Sequence, residues 1–474
     1  MTHPRRAGNR ANKRHDTRAG QRSTRRASKV DPARRAAYDV LHEVGARDGY
    51  SNLVLRQVLA ERGLDERDAA FATELALGTL RHRGTLDAVL AVCIDRPLAK
   101  IDPRVLDVLR LGAYQLLFLA TADHAAVSST VELAREVAGE GPSRFTNAVM
   151  RAVARNQLSK WLDTLAPAGS VDSLALRTSH PSWIVSALRD ALGEDSDELP
   201  ALLDTNNEAP SVTLVARPDR CDVEELLAEP DTRQGRWSPY AVSLGHGRPG
   251  SIAAVREQRA GVQDEGSQLI VLALLSAAVV GEDSRWLDLC AGPGGKAALL
   301  ADLGARRGAS LVAVEPREAR ARLVEKALAG SAGTTRVVVA DGRDGPWSPE
   351  SFDRVLVDAP CSGLGVLRRR PESRWRRSPE DVAELARLQR ELLLAAVAAA
   401  RPGGIIGYAT CSPHIAETDL VVDDVLARRN DLTEESAVAL LPDIPDTGPG
   451  PRLRLWPHRH GTDGMFLSIL RRTL

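Results

Sequence analysis

Two cysteines near the end of the chain lie in motifs that could support covalent chemistry. Cys361 belongs to DAPCSGLG, residues 358–365, and Cys411 belongs to YATCSP, residues 408–413. Each motif directly follows a short apolar run that predicts a β-strand. Carboxyl ends of neighbouring parallel strands meet at one edge of a sheet, so both thiols are expected to face one cleft. A cysteine thiolate is a strong nucleophile, and the pair predicts nucleophilic catalysis.

A glycine-rich loop and two strand-end acids predict a second part of the same cleft. In LDLCAGPGGKAALL, residues 287–300, a strand ends near Asp288, a glycine turn follows, and a helix starts near Lys296. Glu315 ends the next strand, where an acid can accept hydrogen bonds from ribose hydroxyls. Asp341 ends the third strand, beside the expected position of an adenine. A glycine-rich turn alone is weak evidence, and strand-end acids are also common structural caps.

The elements that must position these residues alternate between strand and helix. This order predicts a doubly wound, mostly parallel Rossmann-like sheet with helices on both faces. The predicted strands are Trp286–Leu289, Leu311–Val314, Val337–Ala340, Arg354–Val357 and Ile405–Ala409.

The rest of the chain divides by composition into further regions. Residues 1–30 carry ten Lys/Arg and one acid up to Lys29, which predicts a disordered basic arm that either docks on phosphates or only aids solubility. Residues 31–158 show helical periodicity and predict an all-α domain. A Pro/Gly/Ala/Ser-rich linker is expected over 159–174, a small α+β subdomain over 175–262, and the catalytic α/β domain over 263–474.

Composition also excludes several classes of protein. No apolar run approaches the ~20 residues of a membrane span, and no apolar stretch follows the basic N-terminus, so a cytoplasmic protein is expected. The five cysteines are widely spaced and form no CxxC pair. This pattern argues against a disulfide framework and against a zinc site, and no metal is expected.

These motifs resemble those of known families. The segments LRLGAYQLLFL (109–119), VSSTVELA (127–134) and RFTNAVMR (144–151) are similar to the NusB-type helical domain, an RNA-binding fold. DAPCSG and ATCS together resemble the RNA 5-methylcytosine methyltransferases. From about residue 31 to its end, the chain resembles the RsmB/Sun-type 16S ribosomal RNA cytosine-C5 methyltransferases. Gly292, Glu315 and Thr418 depart from the commoner Ala, Asp and Asn at those positions.

The resemblance implies specific roles for the motif residues. Cys411 would be the nucleophile, Cys361 would assist release of the enzyme–RNA adduct, and Asp358 would hydrogen-bond the cytosine edge. Lys296 could instead form an ordinary helix-start salt bridge, and Glu417 could orient the Cys411 loop or be a solvated acid. S-adenosyl-L-methionine would be bound by Asp288, Cys290, Ala291, Gly292, Pro293, Gly294, Gly295, Lys296, Glu315, Asp341 and Asp358.

An arginine-rich segment, residues 366–377 (VLRRRPESRWRR), follows the Cys361 motif. Arginines flanking a tryptophan suit phosphate contact and base stacking, so RNA contacts are expected from Arg369, Arg370 and Trp375. Charge runs are also often no more than solvated faces.

Two alternatives remain open from the sequence. The substrate could be another RNA, such as transfer RNA, or DNA, for which the Pro-Cys cysteine, Cys361, would be the nucleophile. Alternatively, the chain could be a non-catalytic RNA-binding scaffold. Separate substitution of the two cysteines distinguishes the first alternative, and a test of S-adenosylmethionine binding distinguishes the second.

Overall fold

The computed structural model describes residues 30–47, 49–245 and 247–473. The predicted basic arm lies outside these residues apart from Val30. None of the helices in these three ranges is both long enough and apolar enough to cross a lipid bilayer.

The N-terminal region is a bundle of helices around one apolar core, in which Leu75, Leu109 and Leu133 are fully buried. Aspartates cap two of the helices: Asp65 accepts a hydrogen bond from the backbone of its helix at 2.8 Å, and Asp102 does so at 2.9 Å. The helices are α1 (Pro32–Arg47), α2 (Ser51–Arg62), α3 (Glu66–Arg81), α4 (Arg83–Cys93), α5 (Pro103–Leu117), α6 (Asp123–Ala138) and α7 (Glu140–Val153), with a 3-10 turn at Leu98–Lys100.

The segment expected to be a linker, residues 159–174, is largely helical, which corrects the prediction. Helix α8 spans Leu158–Leu165 and α9 spans Val171–Arg177, leaving only a short break between them. Trp161 explains the difference, because its ring is buried and its indole N–H donates to the carbonyl of Val153 at 3.1 Å. Ser170 then caps α9. The proline and glycine of this segment mark the break rather than a long flexible connection.

A small α+β unit follows. Helices α10 (Ser182–Leu192) and α11 (Leu199–Thr205) flank a 3-10 turn at Gly193–Glu198. An antiparallel sheet in the order β2-β3-β1-β4 comes next. Its elements are β1 (Val212–Ala216), α12 (Val223–Leu227), β2 (Thr232–Gln234), β3 (Ala241–Leu244), a 3-10 turn at Pro249–Ser251, α13 (Ala253–Arg256) and β4 (Ala260–Val262).

The C-terminal region contains the predicted doubly wound sheet. Its elements are α14 (Glu265–Ser276), β5 (Arg285–Asp288), α15 (Gly295–Ala305), β6 (Ser310–Val314), α16 (Glu318–Leu328), β7 (Thr335–Val338), β8 (Phe352–Asp358), α17 (Ser373–Arg376), α18 (Pro379–Ala399), β9 (Ala400–Thr410), α19 (Asp419–Arg428), β10 (Leu432–Glu435), β11 (Leu453–Leu455), α20 (Pro457–His460) and β12 (Met465–Arg472). Short 3-10 turns lie at Leu364–Val366, Ile415–Glu417 and Val438–Leu440.

The strand order is β10-β12-β9-β8-β5-β6-β7, with β11 beside β12. Strands β5 to β9 are parallel, and β12 runs antiparallel to β9. Separate apolar cores fill the two faces of the sheet, one beneath α14 to α16 and the other beneath α18 and α19. Because the chain leaves β5 towards β6 and later returns to its other side at β8, the strand order reverses between β5 and β8. Ligands bind at such a switch point, beyond the carboxyl ends of the strands.

Candidate active site

The glycine-rich loop after β5 forms a tight cradle. Asp288 ends the strand fully buried, and its Oδ1 accepts a hydrogen bond from the backbone N–H of Cys290 at 3.3 Å. A Cβ atom on Gly292 would lie 2.1 Å from Oε2 of Glu315, and Gly294 has a φ of +112°. A side chain at Gly294 would be strained by this φ, and one at Gly292 would require the Glu315 carboxylate to move, so the backbone of this loop is open to close approach by a ligand.

The remaining residues of the loop have different surroundings. The backbone N–H of Ala291 donates to the carbonyl of Val314 at 2.8 Å, which ties the loop to β6. Pro293 and Gly295 are exposed. Burial raises the pKa of the Cys290 thiol well above its usual value. Cys290 is therefore a neutral thiol in the wall of the site rather than a nucleophile.

The two strand-end acids lie in different environments. Glu315 is buried, and Arg320 connects it to the loop by pairing with its Oε2 at 3.5 Å and donating to the carbonyl of Gly292 at 2.6 Å. Asp341 is more exposed and is held by Arg343, whose hydrogen bonds lower the pKa of the Asp341 carboxyl. A ligand at this end of the sheet would meet an acid–arginine pair rather than a free acid.

Buried polar atoms without partners support a ligand at the cradle. Asp288 Oδ2 and both polar side-chain atoms of Gln263 have no hydrogen-bond partner within the described parts of the chain. A Cβ on Gly295 would lie 3.8 Å from the Gln263 amide. Burial and the charge of Asp358 raise the pKa of Asp288 to about 7. Unpaired buried groups are costly, and a cationic ligand with amine donors, such as S-adenosylmethionine, fits them.

Gln263 is the residue of the cradle that sequence reasoning missed. The only available signal was its place in VQDEGSQL, immediately before α14. A buried amide is recognisable as unpaired only after the chain has folded.

Lys296 and Asp358 form an ion pair across the switch point. The Lys296 ammonium donates to Asp358 Oδ2 at 2.9 Å and to the Ser267 hydroxyl at 3.3 Å. Burial disfavours the charged form of Lys296, but the Asp358 carboxylate outweighs this effect, so the pKa of Lys296 is raised. Lys296 is thus both the partner in a salt bridge and a fixed positive charge in the site.

The two cysteines of the motifs meet directly. Cys361 Sγ lies 3.3 Å from Cys411 Sγ. The hydrogen bond from Cys361 lowers the pKa of Cys411, helped by the charges of Lys296 and Arg370 and opposed by burial and Asp358. The same contact, with burial, raises the pKa of Cys361. Cys411 is therefore the more acidic thiol of the pair, and Cys361 is the one that holds its proton more strongly.

A single buried carboxylate, Glu417, holds both cysteine loops. Its Oε1 accepts from the backbone N–H of Ser362 at 2.7 Å, and its Oε2 accepts from the hydroxyls of Ser362 at 2.5 Å and Ser412 at 2.6 Å. Gln389 adds a further hydrogen bond at 3.1 Å. Each serine directly follows a cysteine of the pair, so Glu417 fixes the two thiols relative to each other. It is not a solvated acid.

Arg369 pairs with two carboxylates of the protein. It pairs with Asp463 at 2.8 Å and with Asp264 at 2.7 Å. Its neighbour Arg368 pairs with the same two acids. These contacts connect the arginine-rich segment to the beginning and the end of the C-terminal region, and the expected RNA contact of Arg369 stays a prediction.

Trp375 also packs within the protein, and its expected stacking on a base stays a prediction. Its ring packs against α4, where a Cβ on Gly84 would lie 2.4 Å from it, and its indole N–H donates to the Leu80 carbonyl at 3.4 Å. The adjacent Arg374 is fully buried and donates to carbonyl oxygens of Arg81, Ser179 and Asn206 and to the side chain of Asn207. This part of the segment joins the helical bundle to the catalytic region.

The sheet, the glycine cradle and the strand-end acids define a class I methyltransferase fold. A family model described as "16S rRNA methyltransferase RsmB/F" matches residues 276–471, and the NusB family model matches residues 31–155. Among curated relatives, "Putative methyltransferase" of Mycobacterium tuberculosis is 51% identical, with 94% of this chain and 97% of that protein covered. "Ribosomal RNA small subunit methyltransferase B" of Vibrio vulnificus is 32% identical, with coverage of 92% and 98%. The chain therefore belongs to the RsmB/F methyltransferase family, with a NusB domain in front.

Solved structures support the same architecture. The crystal structure of PH0851 has a TM-score of 0.78 at 22% identity and covers 94% of this chain and 99% of its own. NSun6 from Pyrococcus horikoshii, solved with SFG, has a TM-score of 0.53 at 18% identity and covers 62% of this chain and 98% of its own. At these identities the similarity establishes the fold. The predicted fold class is thus confirmed.

Proposed function

We propose that this protein transfers a methyl group from S-adenosylmethionine to carbon 5 of a cytosine in RNA, with small-subunit (16S) ribosomal RNA as the substrate. The observation that carries the proposal is the direct contact of the Cys411 and Cys361 sulfur atoms beside the Lys296–Asp358 pair. The curated relatives named as small-subunit ribosomal RNA methyltransferases support the choice of RNA.

Cys411 would start the reaction by adding to the pyrimidine ring. Carbon 5 of cytosine is a poor nucleophile because the ring is aromatic. Addition of the Cys411 thiolate to carbon 6 breaks the aromaticity and makes carbon 5 enamine-like. A thiolate is needed for this step, and the lowered pKa of Cys411 supplies one at a higher population than an isolated cysteine would.

Asp358 would activate the ring for this addition. A carboxylate at the cytosine edge favours a proton on ring nitrogen 3, which draws electrons away from carbon 6. Lys296 holds Asp358 in place through the 2.9 Å contact. The pair can therefore stabilise the adduct without itself forming a covalent bond.

The methyl donor would be held by Asp288, the glycine cradle and Glu315, with Gln263 as an additional contact. When bound, S-adenosylmethionine supplies a methyl group on a sulfonium, a strong electrophile for the activated carbon 5. The buried Asp288 carboxylate would accept hydrogen bonds from the donor's amine, and Glu315 would accept them from its ribose.

Cys361 would assist the release of product. After carbon 5 loses its proton to solvent, the bond between carbon 6 and the Cys411 sulfur breaks and the thiolate leaves. A thiol that already donates to this sulfur across 3.3 Å stabilises the departing charge. This role agrees with the higher pKa of Cys361, which keeps its proton available for donation.

Bisulfite sequencing of ribosomal RNA tests the proposal in cells. RNA from a strain that lacks the protein is compared with RNA from the same strain carrying the wild-type protein or Cys411→Ala. We expect one cytosine of 16S ribosomal RNA to be protected only with the wild-type protein. Protection confined to transfer RNA would overturn the choice of substrate, and complete absence of a difference would overturn the reaction.

A further inference from the structure

An aromatic side chain of the helical bundle lies beside an arginine of the catalytic region. Tyr50, just before α2, is 47% exposed. The guanidinium carbon of Arg370 lies 4.8 Å from the centre of its ring. The two residues lie 320 positions apart in the chain, so the sequence around either one does not predict the contact.

The backbone around Tyr50 is anchored to the catalytic region. The backbone N–H and the hydroxyl of Ser51 donate to Glu372 at 3.0 and 2.6 Å, in a fully buried contact. Arg376 donates to the carbonyls of Val44 at 2.6 Å and Gly49 at 3.0 Å. These hydrogen bonds hold the chain on both sides of Tyr50, while its ring remains half exposed. The backbone that carries the ring is therefore anchored to the catalytic region on both sides.

The Tyr50–Arg370 contact is close to the nucleophile. The backbone N–H of Gly365 donates to the carbonyl of Cys411 at 2.9 Å, and one turn later the N–H of Arg370 donates to the carbonyl of Val366 at 3.0 Å. The charge of Arg370 is also one of those that lower the pKa of Cys411. Arg370 thus lies on the short segment that links the cysteine pair to the helical bundle.

Arg370 differs from the other arginines of its segment. Arg368 and Arg369 pair with acids, and Arg374 is buried among carbonyls. Within the described ranges, Arg370 has no carboxylate partner, and its guanidinium faces the Tyr50 ring instead. An exposed aromatic face with an adjacent unpaired cation is the arrangement that stacks an unpaired base and attracts its phosphate.

We propose that Tyr50 and Arg370 form a stacking platform that receives an unpaired nucleobase next to the target cytosine. The platform rests on the proposed function in that its ligand is single-stranded RNA. A base splayed out for attack by Cys411 leaves its neighbouring bases unstacked. An aromatic ring at the mouth of the site can stack on one of these neighbours and replace the lost base–base contact. Through Tyr50, the helical bundle contributes a side chain directly to the RNA site of the catalytic region.

Equilibrium binding of RNA tests the platform. The probe is an unmodified, fluorescently labelled transcript of small-subunit ribosomal RNA, at one fixed salt concentration and without methyl donor. Tyr50→Leu keeps apolar bulk but loses the aromatic face, and we expect it to weaken binding about tenfold. Tyr50→Phe and Tyr50→Trp should bind like the wild type. Leu53→Ala, a change of a 54% exposed side chain in the helix that follows Tyr50, is the matched control and should have no effect.

A second variant and a product assay separate the possible failures. Arg370→Gln should weaken binding and reduce the salt dependence by about one phosphate contact. Wild-type affinity in Tyr50→Leu, or an equal loss in Tyr50→Phe, would overturn the platform. If the wild-type protein forms no 5-methylcytosine while Tyr50→Leu still loses affinity, the proposed function falls and the platform stands. If 5-methylcytosine forms and Tyr50→Leu binds normally, only the platform falls.

Discussion

The sulfur of Cys411 lies 3.3 Å from the sulfur of Cys361, although 50 residues separate the two along the chain. Strands β8 and β9 are parallel neighbours, with Asp358 in register with Ala409, so the loops that follow them begin side by side. The surroundings of the two thiols differ, because the pKa of Cys411 is lowered and that of Cys361 is raised. The proposed roles, nucleophile for Cys411 and assistance of release for Cys361, rest on this difference.

Glu417→Gln should lower kcat by about tenfold or more with little change in KM for RNA. The substitution removes a buried charge that accepts three strong hydrogen bonds from the serines beside the cysteines, and hydrogen bonds to charged groups contribute about 1.5–3 kcal/mol each. Steady-state kinetics measure the effect. Glu318→Gln, at an exposed site, is the control. An unchanged kcat in a folded Glu417→Gln protein would show that the Glu417 carboxylate does not position the two thiols.

Lys296→Met should raise the pH at which Cys411 becomes reactive. The ammonium favours the thiolate, so its loss raises the pKa of Cys411 and moves the reactive form to more alkaline solution. The rate of alkylation of Cys411 by iodoacetamide, measured against pH and located by mass spectrometry, reports this shift. Lys326→Met changes an exposed lysine and should leave the profile in place. A profile that moves to lower pH would contradict the electrostatic role of Lys296.

Asp288→Asn should remove part of the pH dependence of the free energy of unfolding, measured without S-adenosylmethionine. The pKa of Asp288 is about 7 in the folded protein, against about 4 for an unfolded chain. The folded state therefore keeps this proton longer, and the free energy of unfolding falls as pH rises from about 4 to 7, by roughly 4 kcal/mol from this group alone. Denaturant unfolding at several pH values compares the two proteins. The variant should also bind S-adenosylmethionine more weakly.

Arg374→Met should destabilise the protein rather than weaken RNA contacts. The buried guanidinium donates to three backbone carbonyls and one side chain, and each acceptor left unpaired costs about 1–3 kcal/mol. We expect a lower Tm and faster proteolysis between the helical bundle and the catalytic region. Arg377→Met, in the same segment at a partly exposed position, is the control. Unchanged Tm together with weakened RNA binding would restore the interpretation of this segment as an RNA contact.

The sequence predicted those parts of the site that short motifs and strand ends define. Asp288 and Asp358 end strands, and Cys361 and Cys411 lie just after strand ends, so strand prediction and the topology of a parallel sheet place all four at one edge. Trp375 and Arg369 could not be placed in this way, because a run of arginines around a tryptophan suits a contact between two regions of the protein as well as an RNA-binding surface. Their partners, near residues 80 and 463, are distant in the chain. Gln263 and Tyr50 carry no motif, and only the folded surroundings identify them.

Trapping of a covalent protein–RNA complex tests the central claim most directly. Wild type, Cys361→Ala, Cys411→Ala and the double variant are incubated with unmodified small-subunit ribosomal RNA and S-adenosylmethionine, then separated under denaturing conditions. We predict a stable complex for Cys361→Ala, because release is slowed after Cys411 has added to the base, and none for Cys411→Ala or the double variant. A complex that forms with Cys411→Ala and disappears with Cys361→Ala would contradict the assignment of Cys411 as the nucleophile.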